Sequence, residues 1–410
     1  MNPIKAALIG IGGFGKAHTE IISRLTREGV LSCPAFCEPN ADKSPEQKEQ
    51  LEAIGARHYA DYREMLKHPG LDFVVIATPI PLHKQMCIDA LETGIPVLLE
   101  KPPAVAIEDL DAMIEVQRRT GRLAAVQFQN TSGKAFRLML QQLREGLIGE
   151  LKTVTAVGMW KRTQQYYDRT YWAGAIVYNG EYVLDGTLCN PFAHLVHNAL
   201  LAAGAGHAAQ AEPKWVQAEL YKGHDIESED TACVRVMTKN DVLVHIYTTL
   251  CNAANETPYI KVEGTAGQLH WTYENKLTYT DEQGKTENYS FGDESLLRNM
   301  YINMIQNTRG EEDELFCSLA ESRSFLLTAN GAFTSTGRIH PIPKEALDIR
   351  PEEDTIATTI PGIRELFSEA SERGKLFSEL SIPWSVPGAK VEMSGYRKLR
   401  LPMSDVLPES

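Results

Sequence analysis

Residues 10–15 read Gly-Ile-Gly-Gly-Phe-Gly, between an apolar run, Ile4 to Ile9, and a segment, Lys16 to Arg27, with apolar residues at helical spacing. Few folds place spaced glycines at a strand-to-helix junction. Gly10 permits the tight turn there, Gly12 lets backbone approach a pyrophosphate, and Gly15 lets helix and strand pack closely. The free N–H groups of the helix N-terminus then meet the phosphates, with Gly13 and Phe14 in the same loop. This arrangement predicts a dinucleotide-binding βα unit at the start of a doubly wound parallel sheet. Glu38 follows the second expected strand, Cys33 to Cys37; a carboxylate there accepts hydrogen bonds from both ribose hydroxyls and repels a 2′-phosphate. NAD is therefore expected over NADP.

The alternation of strand and helix continues to about residue 128. Expected strands at Phe73 to Ala77, Val97 to Leu99 and Ala124 to Phe128 are separated by helical patterns, Lys84 to Glu92 ending at Gly94 and Ile107 to Thr120 ending at Gly121. Such an order builds a parallel sheet with crossover helices, which assigns residues 1–130 to a Rossmann domain of the α/β class. Beyond a linking helix at Ala135 to Glu145 the texture becomes β-runs in succession: Leu151 to Met159, Thr231 to Met237, Val242 to Thr249, Tyr259 to Glu263 and Leu269 to Tyr273. They predict, over residues 131–340, an α+β domain with a large, mainly antiparallel open sheet. Helices are expected near Leu296 to Asn307 and Gly362 to Arg373. Residues 341–410 are rich in proline and charge, yet Ile363, Leu366, Phe367, Leu376, Phe377 and Trp384 argue for an extension docked on the body.

Composition narrows the partners. With 41 basic and 54 acidic side chains the net charge is −13, which repels phosphate backbones and anionic membrane surfaces in the absence of a basic patch. No apolar stretch approaches the roughly 20 residues that span a bilayer. Neither nucleic acid nor a membrane is expected as a partner. The opening Met1-Asn2-Pro3-Ile4-Lys5 has no leader pattern, and the 7 cysteines contain no CxxC, so a reducing, cytoplasmic setting and no metal are expected. Cys33 and Cys37 read as strand residues. The run Val242 to Tyr247 is apolar on both alternating faces, from which a homo-oligomer, dimer or tetramer, is expected to bury the outer face of the second sheet.

Three further segments sharpen the picture: Ala77-Thr78-Pro79 followed by His83, Glu100-Lys101-Pro102, and Gly146-Leu147-Ile148-Gly149-Glu150. With the glycine fingerprint they resemble the Gfo/Idh/MocA family, named for glucose-fructose oxidoreductase and inositol dehydrogenase, over about residues 4–340. The resemblance implies a Rossmann domain followed by an open-sheet domain, with a sugar or polyol bound between them beside the nicotinamide. It also implies that Lys101 binds the reacting hydroxyl and helps its deprotonation, while Glu100, Thr78, Pro79, His83 and Gln129 serve the nicotinamide end. Apart from the resemblance, Lys101 follows a sheet strand at its carboxyl end, where doubly wound folds bind ligands, and a proline stiffens its loop.

The family places an acid and a histidine four residues apart at the start of a helix. Here Asn190-Pro191-Phe192-Ala193-His194 puts His194 at the histidine position and Asn190 where the acid is expected. Asn190 before Pro191 reads equally well as a helix N-cap. On a helical wheel His194, His197, Asn198 and Leu201 share one face and Phe192, Leu195, Val196, Ala199 and Ala203 the other, so an imidazole face distinct from the core face is expected. Asp185 either supplies the carboxylate that Asn190 lacks or starts a turn. Arg162, Tyr166, Tyr167, Arg169, Tyr171 and Trp172 either stack on and hydrogen-bond a sugar ring or form a loop packed on its own aromatics.

The expected activity is that of an NAD-dependent dehydrogenase acting on a secondary hydroxyl of a sugar, inositol or related polyol. Lys101, His194 and Asp185 are the candidate catalytic groups, and Arg162, Tyr166, Arg169, Trp172 and Asn190 the candidate substrate contacts. The alternatives are an NAD-dependent glycoside hydrolase working by transient oxidation and elimination, and a non-catalytic cofactor-sensing regulator.

Overall fold

Every residue of Ile4–Ile9 (β1) except Lys5 is buried, as a parallel strand covered on both faces requires. β1 heads a sheet with Ala35–Cys37 (β2), Arg57–Tyr59 (β3), Phe73–Ile76 (β4), Val97–Leu99 (β5) and Ala124–Val126 (β6), all parallel, in the order β3-β2-β1-β4-β5-β6. The chain order reverses at β1, which creates the switch point where such sheets bind ligands. The computed structural model describes residues 3–401, and its contacts divide them into two units. The first runs from the amino terminus to Ala104 and includes Glu108–Ser132 and Ser295–Ala320; the second comprises Val105–Ile107, Gly133–Glu294 and the chain from Glu321 onward.

The strand expected from Cys33 is broken. Pro34 has no N–H for a ladder, so Leu31–Ser32 pairs with the start of β1 and Ala35–Cys37 with its end, leaving Cys33 between them. Burial pushes the Cys33 thiol up to about 12. The helix Leu296–Arg309, read from sequence as part of the second domain, belongs to the first unit. Its Tyr301, Met304 and Ile305 join Ala6, Leu8 and Phe73 in one core cluster.

The second unit is built on a sheet of Leu151–Met159 (β7), Pro213–Lys222 (β8), Thr231–Thr238 (β9), Leu243–Thr249 (β10), Tyr259–Gly264 (β11), Gly267–Thr272 (β12), Lys276–Asp281 (β13), Thr286–Ser290 (β14) and His340–Pro341 (β15). Their order is β14-β13-β12-β11-β7-β10-β9-β8-β15, with Val391–Glu392 also on β8. The β7–β10 and β8–β15 pairs are parallel and the rest antiparallel. The helix Ala193–Ala203 (α2, with Gly15–Arg27 as α1) packs on β7.

Residues of the carboxy-terminal segment cover the opposite face. Tyr221 of β8, Cys233 of β9 and Tyr247 of β10 lie in one cluster with Ile342, Ile360, Ile363, Phe367 and Phe377. The Tyr247 hydroxyl donates toward the carbonyls of Ala370 (2.9 Å) and Lys375 (2.8 Å). The face expected to be buried by a second copy is thus buried by the chain itself, and the sheet pattern no longer argues for an oligomer. The last part of the extension, 402–410, lies outside the described residues. Among the described residues no helix is long and apolar enough to cross a membrane, and all 7 cysteines are buried free thiols.

Candidate active site

In the first unit the loops of interest leave the carboxyl edge of the parallel strands. Gly10 and Gly15 are glycine for packing: a Cβ on Gly10 would sit 2.4 Å from the Ala77 carbonyl oxygen, and one on Gly15 2.4 Å from that of Gly10. Gly12 and Gly13 meet open space instead. Only Ser44 Oγ approaches a Cβ at Gly12, at 3.8 Å, and nothing lies within 4 Å at Gly13, whose φ is +51°. Phe14 is 52% exposed and turns its ring edge-on to His18. Glu38 points back at this loop, its Oε2 accepting from Ile11 N (3.4 Å) and Oε1 from Asn40 N (3.1 Å).

Glu100 and Lys101 follow β5. Glu100 is buried; its Oε2 accepts from the Lys101 N–H (3.0 Å) and its Oε1 meets His18 Nε2 (2.8 Å). The other ring nitrogen of His18 meets the Tyr301 hydroxyl at 2.7 Å. Burial holds the Tyr301 hydroxyl well above the ordinary phenol range, so it donates to Nδ1 and leaves Nε2–H to donate to Glu100. His18 and Tyr301, neither read from sequence as functional, thereby fix the carboxylate that sits beside Lys101. Lys101 is half-buried and joined to Pro102 by a cis peptide.

His83 is buried with Nδ1 3.0 Å from the Pro102 carbonyl and Nε2 2.8 Å from that of Thr78. Burial lowers its pKa, so the neutral ring donates to one of the two and ties these loops together. Thr78 is half-buried and Pro79 exposed. Gln129 stands in the short helix after β6, and its Oε1 is buried with no donor among the described residues. These residues fit NAD: open glycine backbone for the pyrophosphate, an acid oriented by the loop for the ribose, and an acceptor left over at the sheet edge.

The second unit holds the other candidates. α2 begins at Ala193 with Phe192 as its cap and no side-chain cap bond, so Asn190 is not the N-cap. Its Nδ2 donates to Asp185 Oδ1 at 2.6 Å. Asp185 is buried, and its Oδ2 also accepts from Gly174 N (2.8 Å) and Arg169 Nη2 (3.0 Å). It therefore clamps the aromatic loop to the start of α2. The separate imidazole face does not exist either: His197, Asn198 and Leu201 are buried, because the far side of α2 is also covered, and only His194 is partly exposed. Burial pulls His197 down to about 3, so it stays neutral.

Arg162 and Arg169 both stack on Tyr166, at 5.3 and 3.8 Å from its centroid, and Arg169 reaches Trp172 at 5.5 Å. A cavity of about 780 Å³ opens along this loop, lined among others by Tyr167, Arg169, Lys222, Asp225 and Glu227. Sequence reading also missed two buried groups behind it. Glu229 accepts from Leu188 N (3.0 Å) and Ser228 Oγ (2.7 Å), and burial pushes its carboxyl up to about 7. His224, Asp230 and Cys251 bring their polar atoms within 4.8 Å of one another. The His224 ring is engaged on both sides, by Asp230 Oδ2 (2.8 Å) and the Arg162 carbonyl (3.0 Å), which makes the cluster a prop for the Arg162 backbone. Burial works to raise the pKa of Asp230, but its bonds to His224 outweigh this and lower it.

Fold and loops together define a protein with a nucleotide-binding Rossmann unit and a second, open-sheet unit. Residues 4–128 match the family model described as "Oxidoreductase family, NAD-binding Rossmann fold", and 136–270 match the "GFO/IDH/MocA C-terminal domain". The chain belongs to the GFO/IDH/MocA family. A relative is the alpha-N-acetylgalactosaminidase of Shewanella oneidensis, 30% identical over 158 residues, which are 37% of this chain and 34% of that protein. The chain thus aligns with about a third of the length of the curated relatives it matches. Among solved structures, the WlbA dehydrogenase from Bordetella pertussis in complex with NADH and UDP-GlcNAcA is 24% identical, with a TM-score of 0.66 over 83% of this chain and 99% of that one. Levoglucosan dehydrogenase in complex with NADH and levoglucosan is 18% identical, with a TM-score of 0.69 over 82% and 97%. These likenesses establish the fold.

Proposed function

We propose that this chain oxidises a secondary hydroxyl of a sugar, inositol or related polyol with NAD. The observation that carries the reading is the Glu100–Lys101 loop, buried on His18 and Tyr301 within the same unit as the glycine loop and Glu38. NAD, when bound, supplies the hydride acceptor. The backbone of Gly12 and Gly13 holds its pyrophosphate, Glu38 its ribose diol, and Thr78, Pro79 and Gln129 its nicotinamide end. Lys101 binds the reacting hydroxyl and helps remove its proton. Glu100 orients Lys101 and is itself oriented by His18. His194 assists with the proton from the first turn of α2, and Asp185 acts through its bonds to Asn190 and Arg169. Arg162, Tyr166 and Trp172 contact the sugar.

A second reading is favoured by the aligned stretch shared with the alpha-N-acetylgalactosaminidase: a glycoside hydrolase that oxidises its sugar with NAD, eliminates the aglycone, adds water to the unsaturated ketone and reduces it again with the NADH formed. One screen separates the two. Sugars, polyols and aryl glycosides are incubated with NAD while NADH absorbance and aglycone release are followed. Net NADH supports the dehydrogenase, aglycone without net NADH supports the hydrolase, and neither signal removes both. The buried, unbridged thiols support a cytoplasmic location. A homo-oligomer is not proposed on the sheet, whose outer face the chain itself covers.

A further inference from the structure

The two arginines on Tyr166 differ in what neutralises them. Arg169 pairs with Asp185 at 3.0 Å. Arg162 is half-buried, stacked over Trp160 at 4.9 Å as well as over Tyr166, and its acceptors are neutral: the Lys161 carbonyl (2.7 Å) and Asn255 Oδ1 (3.2 Å), both taken by Nη1. Among the described residues no carboxylate pairs with it, and Nε and Nη2 have no acceptor. That edge of a guanidinium makes the two parallel bonds of an oxyanion fork. A partly desolvated cation without a counter-charge is costly unless a ligand supplies one.

The neighbouring cations, unlike Arg162, have carboxylate partners. Lys161 is neutralised by Glu352 (2.6 Å), and Asp168 accepts from Gln164. Burial lowers the pKa of Arg162; Tyr166 and Tyr167 work against this and Arg169 with it. The neighbouring cavity, by contrast, sets Arg169 and Lys222 against Asp168, Asp225 and Glu227. The fork also stands on a rigid base: Arg162 N donates to Leu250 O (2.9 Å) and His224 Nε2 to Arg162 O (3.0 Å). Trp160 packs on Phe192 at 4.4 Å, the residue that caps the helix carrying His194.

We propose that Nε and Nη2 of Arg162 bind an oxyanion substituent of the substrate, a carboxylate or a phosphate, so that the preferred sugar or polyol is an acidic one. The word substrate rests on the dehydrogenase reading; the anion site does not. The test is calorimetric titration of the full chain, with NADH present, using hexuronates and hexose phosphates of gluco, galacto and manno configuration beside the parent hexoses. At least one acid should bind tenfold or more tighter than its neutral parent, and whether a hexuronate or a phosphate does so names the anion. Arg162→Gln should lower this preference at least tenfold. Arg162→Lys, which keeps the charge and loses the fork, should lower it several-fold and carries the test if the glutamine variant melts early. No preference for any acid, or a preference that both folded variants retain, overturns the proposal. Preference for an acid without NADH formation upholds the anion site and removes the dehydrogenase reading. NADH formed with equal kcat/KM from acids and neutral sugars does the reverse.

Discussion

His194 and His197 lie on one helix, and burial separates their roles. His197 is 1% exposed and held neutral, so His197→Ala should cost about 1–3 kcal/mol of stability and leave kcat nearly unchanged. His194→Ala should lower kcat by at least about tenfold with little effect on melting. Steady-state kinetics and thermal melts of both variants check this, and the reverse ranking would misplace the site by a turn of helix. Glu38 offers a second residue-level test. Glu38→Ala should narrow the preference for NADH over NADPH in a binding titration, because it removes the carboxylate that faces the glycine loop. The placement of Gly10 to Gly15, Glu38 and Lys101 directly after short apolar strands was legible. His18 and Tyr301 were not, because the contact that gives them meaning joins residues 283 apart. The one available signal was a histidine one turn into α1, next to the fingerprint.

At the scale of elements, the stretch from Asp185 to α2 is held by Glu229. Gly186 lies so close that a Cβ would sit 1.9 Å from the Glu229 carboxylate, and Leu188 N donates to it. The folded pKa of about 7 exceeds the ordinary value of 4.5, so the fold favours the protonated form. Its contribution is full below pH 4.5 and is lost as pH rises through about 7. Wild-type protein should therefore lose melting temperature between about pH 5 and pH 8, and Glu229→Gln, which does not titrate, should lose less. Identical pH profiles for the two would contradict this. Elements with a clear period, such as β1, β7 and the helix Ile107–Thr120, were readable to the residue. The helix Arg323–Thr336 was not, since it is rich in Ser, Thr, Asn and Gly and buried nearly all round, which removes both propensity and amphipathic stripe. β14 escaped for the opposite reason: polar and mostly exposed, it alternates no apolar face, and β13 before it has a single fully buried residue, Leu277.

The whole molecule places its carboxy-terminal segment where sequence reading expected a second copy. The period-two pattern of β10 reports that both faces are covered and is silent about what covers them. Phe377, fully buried in that cluster, is the residue to test. Phe377→Ala should cost about 3–5 kcal/mol and raise self-association in light scattering by loosening the cover over Tyr221 and Tyr247. An unchanged melting temperature would show that the segment adds little to the fold. The proposed function makes this chain an NAD-dependent dehydrogenase in which Lys101 handles the proton. The most direct measurement is the stoichiometry of NADH formed per sugar or polyol consumed, for wild type and for Lys101→Met, with NADH affinity measured on both. The account predicts one NADH per substrate for wild type, and for the variant a turnover reduced by at least about a hundredfold with NADH bound within a few-fold of wild type. Product formed without net NADH, or a variant that keeps more than a tenth of the activity, would contradict it.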